Sequence, residues 1–355
     1  MKIVRVESWR QHVPLARPYA ISSGTTDAVE LFFVRVVGER EIGLGSASPI
    51  ELITGESIDA CAAALEPARL DWLAGRDATR IGELCEAAAE LLGRTPAARA
   101  ALDTALFDHF ARTLHSPLVD LLGRRCGPLA TSVTVGIQPI DQALAQVDEV
   151  LGRGFRRLKV KLGRSIDEDL ARLRAIRARA GPEVPIRVDA NEGYDLEATL
   201  RLGAALAELD LELVEQPLPR ARDADLARLP PELRGVLALD ESVHDEADAR
   251  AHARRPGSCA AFVVKLMKCG GVSPALSIAE VAAGAGRDLM WGCMDESAVS
   301  IAAALHAAYA SSATRYLDLD GSFDLARDPA EGGFRLVDGE LHVLDEPGLG
   351  VRLGD

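Results

Sequence analysis

Arg157-Leu158-Lys159-Val160-Lys161 is one of a series of short β-rich runs that begins near residue 131. The runs centre on Val133, Lys159, Arg187, Val214, Ala238, Val263, Met290 and Leu317, at intervals of 26, 28, 27, 24, 25, 27 and 27 residues. Roughly 15 residues of helix-like text separate each strand from the next. Eight strands so evenly spaced predict a closed parallel barrel. The eighth run leads to Gly321 and then to irregular sequence with strand-like pieces such as Phe334-Arg335-Leu336-Val337. No eighth barrel helix is expected. The reading is an α/β chain whose residues 126–322 form a (β/α)7β TIM-like barrel.

Residues 1–125 read as an α+β capping domain. Leu31-Phe32-Phe33-Val34-Arg35-Val36-Val37 is a strand ended by Gly38, and a second short strand follows near Ile42-Gly43-Leu44-Gly45. Ala97 to Asp108 combines strong helix formers with an apolar stripe. The segment 323–355 is expected to return to this domain. The opening residues Met1 to Glu7 alternate like a strand and lack an apolar leader core.

Bulk composition narrows the function. The 355 residues carry a formal net charge of −14, which argues against nucleic acid as a partner. No run reaches the length of a membrane span. The six cysteines form no CxxC pair and read as reduced thiols of a cytoplasmic protein. His109, His115 and His306 have no metal-ligand spacing and read as core or surface residues.

Lysine is the informative residue type. The 40 basic residues include only five lysines: Lys2, Lys159, Lys161, Lys265 and Lys268. Arginine serves elsewhere, and arginine does not give up its proton. Lysine does so once its surroundings lower its pKa. Four lysines in two short motifs therefore mark a place for acid/base work.

Barrel strands present their C-terminal ends to the active site. Strand two ends in Lys159 and Lys161, which share a face. Strands three, four and five end in Asp189, Glu215 and Asp240, and strand six in Lys265. Three converging carboxylates suit Mg²⁺; the alternative is ion pairing with arginines. Lysines on both sides of such a metal would remove and return a proton on opposite faces of a carbon acid. The charge of Lys159 is expected to lower the pKa of Lys161.

This set resembles the enolase superfamily, specifically its muconate-lactonizing subgroup, over essentially the whole chain. The resemblance implies that Lys161 and Lys265 are the acid/base catalysts and that Asp189, Glu215 and Asp240 hold Mg²⁺. Asn191, Glu241 and Lys268 are expected to support them from behind. Asp318-Leu319-Asp320 resembles the acidic pair with which dipeptide epimerases hold a substrate ammonium; a turn before Gly321 is the plainer reading. Lys159, Gly24, Thr26, Met294 and Asp295 complete the expected substrate-binding set. Thr26 stands where Ala-Glu epimerases carry an arginine, and Asp295 or Asp27 could favour a basic side chain. The implied activity is Mg²⁺-dependent epimerisation of a dipeptide at its C-terminal residue, by 1,1-proton transfer through an enediolate. The alternative within the superfamily is N-acylamino acid racemase or o-succinylbenzoate synthase. A homo-oligomeric assembly, with neither nucleic acid nor membrane as partner, is expected.

Overall fold

The computed structural model describes residues 1–21, 24–255 and 257–354. Strands β1 (Ile3–Ile21), β2 (Gly24–Gly38) and β3 (Ile42–Ala47) form an antiparallel meander. The first two strands are much longer than the apolar pattern predicts, because the backbone pairing of β1 with β2 continues through polar residues out to Ile21 and Gly24. Leu31, Phe32, Phe33 and Val34 are all buried, so β2 is covered on both faces. Phe33 stacks on Trp9 of β1 at a centroid distance of 5.5 Å.

The helix Pro96–Thr113 lies against this sheet and is buried on nearly every side. Proline at its first turn costs no hydrogen bond. Its opening amides at Ala97 and Ala98 are capped by the distant carboxylate of Glu56, at 2.7 and 3.1 Å. The alanines of this helix allow β3 to approach at backbone distance. A Cβ on Gly43 would lie 2.1 Å from the Ala105 carbonyl oxygen, and one on Gly45 1.8 Å from that of Ala101. Both obstacles are backbone. Gly45→Ala is expected to destabilise the protein by about 1–3 kcal/mol, read as a lower urea midpoint with an unchanged slope; an unchanged midpoint refutes this packing.

A two-residue strand, β4 (Leu129–Ala130), leads into the barrel. The barrel strands are β5 (Val133–Val135), β6 (Leu158–Lys161), β7 (Ile186–Asp189), β8 (Leu211–Glu215), β9 (Leu237–Leu239), β10 (Ala261–Val264), β11 (Asp288–Gly292) and β12 (Thr314–Asp318). They hydrogen-bond in sequence order, all parallel. A bridge between Thr131 and Leu317 brings the eighth strand back to the first. Leu213, Ala238, Ala261, Val263 and Met290 fill the interior, so the barrel is a packed core rather than a pore.

Helices cover the outside, with one departure from the expected pattern. Between β8 and β9 the chain makes 3-10 turns over Arg220–Arg228 and a short helix Pro231–Arg234, instead of one long helix. Pro219, Pro230 and Pro231 remove amide donors there and interrupt any longer run. After β12 there is only a 3-10 turn, Gly321–Phe323.

The last strands are β13 (Ala330–Gly332), β14 (Phe334–Val337), β15 (Glu340–Val343) and β16 (Val351–Leu353). β13 pairs with β16, and β14–β15 extend to β4. The buried Asp108 accepts from the amides of Leu44 (2.9 Å) and Leu349 (2.7 Å), tying the sheet, the long helix and the C-terminal segment together. Asp103 of the same helix accepts from Val272 N (2.6 Å) and Ser273 N (3.2 Å), at the start of the barrel helix Val272–Gly284. Two carboxylates thus anchor the cap to the barrel and to the tail. Among the described residues no helix is long and apolar enough to cross a membrane.

Candidate active site

A cavity of about 680 Å³ opens at the C-terminal ends of the strands. Period-two alternation aims Lys159 and Lys161 into it together. Lys159 Nζ is buried 2.7 Å from Glu215 Oε2, 2.7 Å from Asp318 Oδ2 and 3.0 Å from Asp189 Oδ2. Lys161 Nζ stands 2.7 Å from the same Asp189 oxygen and 3.1 Å from Asn191 Oδ1. Lys265 follows β10 in extended conformation, with Nζ 2.6 Å from Asp240 Oδ2. Its stem runs past Gly292, where a Cβ would lie 3.1 Å from Lys265 Cε.

The strand ends are braced sideways. Asn191, Glu192 and Gln216, just beyond Asp189 and Glu215, all have positive φ. Such backbone persists where the surroundings over-determine it. Asn191 N donates to Asp189 Oδ1 (2.9 Å), and its amide Nδ2 reaches Glu241 Oε1 at 3.2 Å. Gln216 Oε1 accepts from the amides of Asp240 (3.0 Å) and Ser242 (3.2 Å), locking the fourth strand end to the fifth. Lys268 Nζ is fully enclosed: it pairs with Asp240 Oδ1 and donates to the carbonyls of Asp240, Val243 and Val263.

The electrostatics follow from these contacts. Burial alone would strip the proton from Lys159 and Lys265, but the carboxylates around them outweigh it and raise both pKa values. The Lys159 ammonium is shared among Asp189, Asp318 and Glu215. Burial also pushes Asp189 and Asp240 up, yet the lysine charges win and hold both well below the carboxylate range. Glu215 goes the other way. Burial, together with the charges of Asp189 and Asp240, raises it well above that range.

Glu215 is the test of metal fit. It is fully buried, and its Oε1 has no hydrogen-bond partner among the described residues. A carboxylate oxygen left this way is costly unless a cation meets it. Among the described residues no three Asp, Glu, His or Cys groups are drawn closely enough to enclose an ion, because lysine ammoniums stand between the carboxylates. The donor chemistry itself fits: three hard oxygen donors from consecutive strand ends, one of them unsatisfied.

At the opposite wall stand Asp318 and Asp320. Ser132 Oγ donates to Asp318 Oδ1 at 2.5 Å, so both Asp318 oxygens are taken, the other by Lys159. Asp320 Oδ2 accepts from Thr134 N at 2.7 Å. Burial and the neighbouring Asp318 charge push Asp320 up to about 6. Gly321 lets this turn meet the strand-seven loop, since a Cβ there would lie 2.0 Å from the Met294 carbonyl oxygen.

Among the residues expected from sequence, the lysines Lys159, Lys161 and Lys265 line the cavity with Asn191, Met294, Asp295, Asp318 and Asp320. Gly24 and Thr26 sit in the β1–β2 hairpin, and neither Thr26 nor the exposed Asp27 lines the cavity. Ser22 and Ser23 of the loop Tyr19–Thr26 lie outside the described residues. Three further contributors escaped the sequence reading. Ser132 precedes the first strand, Asp324 lies in irregular sequence, and Arg17 comes from β1. Only Ser132 had a legible signal, its place immediately before the first barrel strand.

Two family models match. One, described as "Enolase C-terminal domain-like", covers residues 142–355, and one for the mandelate racemase/muconate lactonizing enzyme N-terminal domain covers 3–123. The chain belongs to the enolase superfamily. Among relatives in this superfamily, the L-Lys-D/L-Arg epimerase of Methylococcus capsulatus is 50% identical, covering 100% of both chains. The L-Lys-D/L-Arg epimerase of Desulforapulum autotrophicum is 45% identical over 99% of each. The crystal structure of the dipeptide epimerase from Methylococcus capsulatus, complexed with Mg and the dipeptide L-Arg-D-Lys, superposes with a TM-score of 0.97 at 50% identity over 99% of each chain.

Proposed function

We propose that this enolase-superfamily chain is a Mg²⁺-dependent epimerase of dipeptides with cationic side chains, inverting the α-carbon of the C-terminal residue. The observation that carries the reading is the placement of Lys161 and Lys265 against different carboxylates, Asp189 and Asp240, in one cavity with an acidic far wall. The names of the relatives supply the substrate class.

Asp189, Glu215 and Asp240 would hold the metal. When bound, Mg²⁺ supplies positive charge that offsets the charge developing on the substrate carboxylate and makes it easier for nearby amines to lose a proton. The chain's own residues do the rest. The neutral amine of one lysine takes the α-proton and becomes an ammonium. The ammonium of the other delivers its proton to the opposite face of the planar carbon and becomes neutral. One C–H bond breaks, one forms, and the configuration inverts. Burial of Lys265 excludes water from its side of the transfer.

Asp320 is the better placed of the acidic pair to receive the substrate α-ammonium, because Asp318 is already committed to Lys159 and Ser132. Asp295 and Asp324 widen the acidic wall. Burial beside Asp320 and Asp295 pushes Asp324 up to about 8, an environment that a cationic side chain would relieve.

The test is α-proton exchange. The protein with Mg²⁺ is incubated in D₂O with a mixed L,L-dipeptide library and matching N-succinyl amino acids. The expected result is a gain of one deuterium on Lys- and Arg-containing dipeptides, lost with chelator. Exchange confined to N-succinyl substrates overturns the dipeptide reading, and exchange confined to neutral dipeptides overturns the side-chain assignment.

A further inference from the structure

Behind Lys161, outside the cavity, lies a buried polar trio. Asp169 and Arg172 sit on the barrel helix Ile166–Ala180, are 1% and 4% exposed, and pair at 2.7 Å. Arg172 Nη2 also donates to the backbone carbonyl of Lys161 at 2.7 Å. Asp169 Oδ2 accepts from Gly163 N at 2.9 Å and from the hydroxyl of Tyr194 at 2.6 Å. Tyr194 belongs to the loop after Asp189, and Gly163 to the loop after Lys161. The two loops touch through backbone: a Cβ on Gly163 (φ +103°) would lie 2.4 Å from the Ala190 carbonyl oxygen, and one on Gly193 2.4 Å from that of Gly163. One carboxylate therefore bonds to both loops, while its guanidinium partner holds the carbonyl of the lysine itself.

Burying an ion pair yields little net stability, since desolvation cancels most of the attraction. What this pair supplies is geometry. None of the three residues lines the cavity, so none touches substrate. Lys265 is held by other contacts, through Asp240 and the fifth and sixth strand ends. We infer that Arg172, Asp169 and Tyr194 are positioning residues that fix Lys161 against the substrate α-carbon, and that they serve only one of the two proton transfers. The inference rests on the epimerase reading.

The test measures α-proton exchange in D₂O with Mg²⁺, separately for each epimer of a Lys- or Arg-containing dipeptide. Lys161→Ala first identifies the epimer whose exchange depends on Lys161. Arg172→Lys and Tyr194→Phe are expected to slow exchange of that epimer by on the order of tenfold or more, as small misplacements of a catalytic group do. Exchange of the other epimer should stay within about twofold, with KM unchanged, because no binding contact is lost. Tyr194→Phe removes one hydroxyl and keeps the ring, so it carries the test if Arg172→Lys does not fold. Equal slowing of both epimers, or wild-type rates for both, overturns the positioning role. Failure of the unaltered protein to exchange any dipeptide overturns the epimerase reading, and this role with it.

Discussion

Lys161→Ala and Lys265→Ala are each expected to abolish epimerisation, while each variant still exchanges the α-proton of one epimer. Losing a general acid or base costs about 10²–10⁴ in rate, and inversion needs both lysines while exchange on one face needs only one. The structure argues that both variants fold. Without Lys161, Asp189 keeps Lys159 at 3.0 Å; without Lys265, Asp240 keeps Lys268. Neither substitution strands a buried carboxylate. The measurement is proton NMR of the separate epimers in D₂O. Near-wild-type epimerisation by either variant sinks the two-lysine mechanism.

Glu215→Gln is expected to abolish activity and also the response of stability to Mg²⁺. Glu215 is buried, with Oε1 unpartnered and its pKa driven up by burial and by its acidic neighbours. The amide matches the shape of the carboxyl group and removes the charge with which Glu215 would hold the metal. A ligand that binds only the folded state at a hundredfold excess over its Kd adds about 2.7 kcal/mol. Thermal melts of the unaltered protein are therefore expected to rise with added Mg²⁺, while those of the variant stay flat. The apo variant should melt no lower than the apo parent, because in the metal-free cluster Glu215 favours its neutral form. An equal Mg²⁺ response in both proteins removes Glu215 from the metal site.

The legible part of this protein is the part with a short period. Strand centres spaced 24 to 28 residues apart predict the barrel, and all eight predicted centres fall within observed strands. The scarcity of lysine singled out Lys159, Lys161, Lys265 and Lys268, all of which the fold gathers around Asp189, Glu215 and Asp240. Less legible was the fourth unit, where prolines replaced a helix with 3-10 turns. The hairpin that bears Gly24 and Thr26 had too little apolar alternation at its tip to reveal strands as long as β1 and β2.

The sequence by itself determined the architecture and the chemical inventory. Alternation and strand spacing are local properties of the backbone, and the barrel then carries every strand end to one face. The tertiary structure decided how that inventory is shared out. Asp318 is committed to Ser132, 186 residues away in sequence, and to Lys159, 159 residues away. Arg172 holds the carbonyl of Lys161 rather than an exposed carboxylate, and Asp320 keeps no cationic partner among the described residues. Such choices depend on barrel stagger and on which rotamers fit a packed interior. Neither is written in any local pattern, because both are set by residues that meet only after the barrel closes.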